Sequence, residues 1–67
     1  MTDTNMLNEK IAQRGVKKRY VAKALNISET SLRNKIYNRQ DFRQGEIVAI
    51  CETLGLSAAE RNKIFFA

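Results

Sequence analysis

Residues 16–37 read VKKRYVAKALNISETSLRNKIY, and this stretch decides the fold. It contains two apolar stripes at helical spacing: Val21, Ala22 and Leu25, then Leu32 and Ile36. The stripes predict one helix over about 18–25 and another over about 29–37. Because only a few residues separate these two helices, they must cross at a steep angle.

The residues between the two stripes suit a sharp turn. Ala22 is small where the helices approach closely, and Asn26 tolerates the positive φ that the turn requires. Ile27 points back to the core, and Ser28 is a good N-cap for the second of the two helices. A helix-turn-helix over about 18–37 is therefore predicted.

Three further helices are predicted outside this stretch. Their approximate ranges are 5–14, 44–54 and 58–65. Thr4 or Asn5 is expected to cap the first of them, and Gly15 to end it in a left-handed conformation. Gly55 is expected to end the fourth helix in the same way.

The remaining residues fit between and along these helices. Residues 38–43 have no periodicity, and Phe42 is expected to anchor this basic loop to the core. Cys51 lies on the apolar face of the fourth helix, and Ser57 with Glu60 forms a capping box for the fifth. The sequence thus predicts an all-α, compact five-helix fold in a single domain covering residues 1–67.

Composition argues against several classes of function. The chain has one cysteine and no histidine, so neither a zinc site nor a nucleophile with a histidine base can be built. We therefore expect no catalytic residue, no metal and no cofactor, and do not expect an enzyme. No run of about 18 apolar residues occurs, and the N-terminus lacks the features of a signal peptide, which predicts a cytoplasmic protein without membrane contact.

The positive charge is concentrated in the middle of the chain. The net charge is +5, but residues 10–43 hold ten Lys and Arg against two acids, a balance of +8, whereas both flanking segments are negative. A basic region of this kind suits nucleic acid, an anionic membrane or simple solubility. Charge alone does not choose among these three.

The order of residue types in GVKKRYVAKALNISETSLRNKI (15–36) resembles the Cro and phage-repressor type of helix-turn-helix proteins, often called XRE-like. The resemblance covers residues 5 to about 66. The segment FRQGEIVAICETLGLSAAERNKIFF (42–66) is similar to the last two helices of small regulators from temperate phages of Gram-positive bacteria. The resemblance implies a lambda-repressor-like fold, a double-stranded DNA operator as partner, and the cytoplasm of a bacterial host as location.

Four positions depart from the usual pattern of that family. Asn26 stands where Gly is usual, and Asn can adopt the left-handed turn at modest cost. Lys17 replaces a common Ser or Thr cap, Lys18 a common Gln, and Arg43 a frequent Thr cap. The two lysines favour a simple charge contact at the start of the second helix over a glutamine-type contact.

Helical geometry separates the reading side of the third helix from its core side. If Leu32 and Ile36 face the core, a rotation of roughly 100° per residue sends Thr30, Asn34 and Tyr37 to the opposite side of the helix. Arg33 and Glu29 then lie on the flank of that side. The predicted base-reading residues are Glu29, Thr30, Arg33, Asn34 and Tyr37. In the major groove Asn pairs with adenine, Arg with guanine, Glu with cytosine, and Thr meets a thymine methyl.

Residues around that face are expected to bind the DNA backbone and so to set the register of the protein on DNA. The predicted phosphate contacts are Lys17, Lys18, Arg19, Ser28, Lys35, Arg39 and Arg43. The three basic residues at the start of the second helix also benefit from its dipole. Core packing beside the first helix is predicted for Tyr20 in preference to a DNA contact.

Two functions from different classes fit these features. The first is a sequence-specific transcriptional regulator that occupies an operator, with a homodimer on DNA. The second is a phage antirepressor or modulator that binds a partner repressor protein, although the intact basic residues favour the first.

Ile64, Phe65 and Phe66 are predicted as the dimer surface, because one helical face cannot bury three consecutive large apolar side chains. The alternative is that these side chains fold back against the first helix.

Overall fold

Five α-helices make up the fold in the computed structural model, which describes residues 1–66. They are α1 (Thr4–Arg14), α2 (Lys18–Ala24), α3 (Glu29–Ile36), α4 (Gln44–Leu54) and α5 (Ala58–Phe65). The part of the chain that the structure describes contains no strand, so the prediction of an all-α fold is confirmed. The bounds of α4 and α5 agree with the predicted ones, and the other three differ by one residue at one end.

The start of α1 differs from the prediction. Its N-cap is Asp3, whose Oδ1 accepts a hydrogen bond from the Met6 backbone N–H at 3.1 Å. Thr4 is already the first residue of the helix, and its hydroxyl donates instead to the Ile36 carbonyl at 2.6 Å. The predicted cap at Thr4 or Asn5 is therefore wrong, and Thr4 ties α1 to the end of α3.

Left-handed residues end helices and form the turns, as predicted. Gly15 and Gly55 have φ of 68° and 64° at the ends of α1 and α4. Asn26 has a φ of 60° in the turn between α2 and α3. Asn and Gly adopt this region more readily than other residues, so these positions set the chain reversals.

The helices pack around one hydrophobic cluster. Its buried members are Leu7, Ile11, Val21, Ala22, Leu25, Leu32, Ile36, Ile47, Ile50, Leu54, Ile64 and Phe65. Phe42 packs edge-on against Phe65, with ring centroids 5.3 Å apart, so the predicted anchor of the loop is confirmed. Cys51 is half-buried against the cluster, and burial raises the pKa of its thiol.

The chain end and Tyr20 correct two predictions about apolar surface. Ile64 and Phe65 are both buried in the hydrophobic cluster, where Phe42 packs on Phe65. The Asp3 N–H also bonds the Ile64 carbonyl at 2.7 Å. Of the three residues expected at a dimer surface, only Phe66 is exposed, at 56%. Tyr20 is exposed rather than in the core, because it lies on the opposite side of α2 from Ala22 and Leu25.

A salt bridge joins the first and last helices. The Lys10 ammonium lies 2.6 Å from the Glu60 carboxylate. This hydrogen bond, together with the Ser57 N–H that also donates to Glu60, lowers the pKa of Glu60 to about 2. In residues 1–66 no helix is both long and apolar enough to cross a membrane.

Candidate nucleic-acid interface

The outward face of α3 is free for contact with a ligand. Leu32 and Ile36 are fully buried beneath it, which fixes the rotation of the helix about its axis. Glu29, Thr30 and Arg33 are exposed as a result. These three of the five predicted base-reading residues lie together on the exposed surface of α3.

Asn34 has a different environment from these three residues. Its side chain is half-buried, and its Oδ1 accepts a hydrogen bond from the Arg39 guanidinium at 3.4 Å. Its carbonyl also accepts from the Arg39 backbone N–H at 2.8 Å. Asn34 therefore links the end of α3 to the loop that follows, and its amide NH₂ remains available for a base.

Tyr37 lies between three helices at the end of α3. It is 45% exposed, and its hydroxyl accepts a hydrogen bond from the Asn8 side-chain amide at 3.3 Å. The Lys18 ammonium lies 5.8 Å from the centroid of the Tyr37 ring, within range of a cation–π interaction. Tyr37 thus holds α1 and the start of α2 against α3, and sequence reasoning did not anticipate Asn8 as its partner.

Five basic residues lie at the start of α2 and in the 38–43 loop that follows α3, and we call them the basic collar. They are Lys17, Lys18, Arg19, Arg39 and Arg43. All are exposed except Lys18, which is half-buried beside Tyr37. Two of them lie next to the end of α3: the Lys18 ammonium is beside the Tyr37 ring, and the Arg39 guanidinium donates to Asn34 Oδ1.

Ser28 caps α3, and its hydroxyl oxygen accepts from the Ser31 N–H at 3.0 Å. The residue itself is exposed, so its hydroxyl hydrogen is free to donate to an external acceptor. The geometry is thus compatible with the predicted phosphate contact at this residue.

Lys35 corrects the predicted set of phosphate contacts. Its residue exposure is only 8%, and its ammonium donates to Glu46 Oε1 at 2.9 Å and to the Asp41 carbonyl at 3.3 Å. An ammonium held in this way does not face an external phosphate. The prediction failed because the partner, Glu46, lies on another helix and has no local signal beside Lys35.

Glu46 receives hydrogen bonds from two directions. Its Oε1 accepts from the Arg43 backbone N–H at 2.8 Å as well as from Lys35. Burial is the largest single influence on its pKa and raises it, but the Arg43 and Lys35 contacts together outweigh burial, so that the pKa of Glu46 is lowered. The carboxylate is therefore charged at neutral pH.

Asn38 is a further residue that sequence reasoning missed. It follows α3 with a φ of 64°, and its side chain bonds both the N–H and the carbonyl of Thr2, at 2.8 and 2.9 Å. The N-terminal segment is thereby fixed against the loop after α3. An asparagine directly after a helix is the available sequence signal, since Asn readily takes a left-handed conformation.

Comparison with known proteins identifies the family. The model of the Cro/C1-type HTH DNA-binding domain matches residues 6–60, which is most of the chain. No curated protein and no solved structure matches the chain. The chain belongs to the Cro/C1-type helix-turn-helix family and is a DNA-binding regulator of that type.

Proposed function

We propose that this chain is a sequence-specific transcriptional regulator that acts by occupying an operator in double-stranded DNA. The observation that carries the proposal is the exposed face of α3, with Glu29, Thr30 and Arg33, and beside its end two residues of the basic collar, Lys18 and Arg39. The face supplies base-reading side chains, and the collar supplies charge for the phosphates. The match to the DNA-binding family over residues 6–60 supports the same conclusion.

Each exposed side chain has a defined part in this proposal. Arg33 pairs with the two acceptors of a guanine, and Thr30 contacts a thymine methyl or a base acceptor. Glu29 accepts from cytosine when its carboxylate is not held by Arg33. Asn34 contributes its amide NH₂, and Tyr37 lies at the far end of the face, beside the DNA backbone.

The proposed occupancy of an operator follows from the exposed position of the outward face of α3. A domain whose recognition helix lies in the major groove covers the base pairs that another protein must contact. The binding of this chain to an operator would therefore exclude a polymerase or a competing regulator from that site. The basic collar supports rapid, salt-sensitive association with any DNA before the sequence is read.

The experiment is selection of binding sequences from a pool of random duplexes, followed by measurement of affinity for the selected and the unselected DNA. The proposal expects a shared sequence among the selected duplexes and an affinity for it that exceeds the affinity for random DNA by a factor of at least about 10³. Recovery of no shared sequence, with equal affinity for all duplexes, would contradict sequence-specific regulation.

Capture of a partner repressor protein is the alternative function. A chain specialised for that task has no need of the collar, whereas four of its five side chains are exposed and free for DNA. A pull-down with a repressor encoded beside this chain, run without DNA, distinguishes the two functions. Binding to that repressor together with absence of DNA binding would favour the alternative.

A homodimer on DNA is part of the proposal. Two copies related by a twofold axis would read two half-sites about 34 Å apart and double the number of phosphate contacts. Phe66 remains the candidate contact residue, because its side chain is exposed while Ile64 and Phe65 are buried. The contact between copies is therefore smaller than the sequence suggested.

A further inference from the structure

Lys35 is the one charged residue that is buried within residues 1–66. Its side chain extends from α3 to two different elements, the 38–43 loop at the Asp41 carbonyl and α4 at Glu46. A lysine in such a place loses hydration, and hydrogen bonds must replace it.

Glu46, on α4, also takes part in the connection between α3 and the 38–43 loop. The same oxygen that accepts from Lys35 also accepts from the Arg43 N–H. Asp41 and Arg43 are thereby held on either side of Phe42, which is itself anchored on Phe65. The carboxyl end of the 38–43 loop is consequently fixed to α3 by the Lys35 hydrogen bond to the Asp41 carbonyl and by the Lys35–Glu46 ion pair.

The other end of the loop is fixed to α3 directly. The Asn34 carbonyl accepts from the N–H groups of Arg39 and Gln40, at 2.8 and 3.3 Å. The two arginines of the basic collar in this loop, Arg39 and Arg43, lie next to these two attachment points. The position of their backbone relative to the reading face therefore depends on both attachments.

We propose that Lys35 and Glu46 form a positioning pair that holds Arg43, at the carboxyl end of the 38–43 loop, at the correct distance from α3 to bind a DNA phosphate. This inference rests on the proposed function, since Arg43 is taken to contact the DNA backbone. Neither Lys35 nor Glu46 touches DNA. The pair acts through the loop, and it determines the affinity for DNA of any sequence.

A double variant, Lys35→Met with Glu46→Gln, tests this proposal. Met fills the space of the lysine stem, and Gln retains an oxygen that can accept from the Arg43 N–H, so that no buried charge is left unpaired. The net charge of the protein is unchanged. The matched control is Lys63→Met with Glu52→Gln, which makes the same two changes at exposed positions of α5 and α4.

The measurements are the affinity for a labelled random-sequence duplex over a series of salt concentrations, and amide hydrogen exchange in the free protein. The double variant is expected to bind about tenfold more weakly, with a salt slope reduced by about one, because the phosphate contact of Arg43 is lost while that of Arg39 is kept. Exchange at the Arg43 N–H should become faster. The control should match the wild type in all three quantities.

Three results would overturn the proposal. The first is a folded double variant with the affinity and salt slope of the wild type. The second is an affinity that falls equally in the control. The third is a wild type that binds no DNA, which refutes the proposed function and this inference together. If the double variant does not fold, Lys35→Gln with Glu46→Gln decides the matter by the same measurements, because this pair also leaves no buried charge unpaired and keeps a hydrogen-bond donor on α3 for the Asp41 carbonyl.

Discussion

The Arg33 guanidinium lies 3.3 Å from the Glu29 carboxylate, one turn away on the outward face of α3. Both side chains are about half exposed, so solvent screens the pair, and it contributes only about 0.3–0.5 kcal/mol to stability. Its main effect is to hold Arg33 along the helix in the free protein. A DNA base must therefore compete with Glu29 for the guanidinium.

The first prediction concerns Glu29→Gln. The free energy of unfolding should change by less than about 0.5 kcal/mol, because the lost pair is exposed. Affinity for random-sequence DNA should rise, since a negative charge is removed from the outward face of α3. Urea unfolding and binding to a random duplex measure the two effects. Unchanged affinity for random DNA would show that the face of α3 does not approach the duplex.

The second prediction concerns the crossing of α2 and α3. Leu32 is completely buried there, so Leu32→Ala should lower the free energy of unfolding by about 2–5 kcal/mol, a large share of the stability of so small a domain. Thr30→Ala, at an exposed position of the same helix, should change it by less than about 0.5 kcal/mol. Equal unfolding curves for the two variants would exclude Leu32 from the core.

The third prediction concerns the basic collar. Lys18→Ala and Arg39→Ala should each weaken binding to all DNA and lower the salt slope by about one. Arg61→Ala is the control, since it removes the same charge from an exposed position of α5. Fluorescence anisotropy over a series of salt concentrations gives the slopes. A slope unchanged from that of the control would remove the residue concerned from the phosphate contacts.

The fourth prediction concerns acid stability. The pKa of Glu60 in the folded protein is about 2, against 4.5 for an unperturbed glutamate, chiefly because Lys10 and the Ser57 N–H bond its carboxylate. The resulting stabilisation is fully present above pH 4.5 and is lost as the pH falls toward 2. Glu60→Gln should flatten the pH dependence of the melting temperature in this window. An equally steep dependence in the variant would assign acid unfolding to other groups.

The fifth prediction concerns the dimer. Phe66→Ser should weaken self-association on DNA, because Phe66 is the exposed member of the three C-terminal apolar residues. Val48→Ser removes a comparably exposed apolar side chain from α4 and serves as the control. Sedimentation equilibrium with and without the selected operator gives the stoichiometry. Identical stoichiometry for wild type, Phe66→Ser and Val48→Ser would show that Phe66 is not the contact.

Features that depend on residue type and on neighbouring residues in the chain could be predicted from the sequence. Leu32 and Ile36 set the phase of α3, and Gly15, Asn26 and Gly55 have the left-handed conformations that their residue types favour. The exposed positions of Thr30 and Arg33 followed from the same phase.

Features that depend on contacts between distant residues could not be predicted. The partner of Lys35 is on α4, and Ile64 and Phe65 are buried in a cluster formed by residues from the other helices and the 38–43 loop. Tyr20 illustrates a different difficulty, since a large aromatic side chain suggests burial but its position on α2 directs it to solvent. The aromatic side chain of Tyr20 favours burial, whereas its angular position on α2 favours exposure, and the angular position determines that Tyr20 is exposed.

The most direct test of the central claim is the affinity of Arg33→Ala for the selected operator and for a random duplex, compared with the wild type. If the outward face of α3 reads the bases, the variant should lose about 1–3 kcal/mol on the operator and change little on random DNA. Equal losses on the two duplexes would contradict base reading by α3 and reduce the role of Arg33 to a charge near the phosphates.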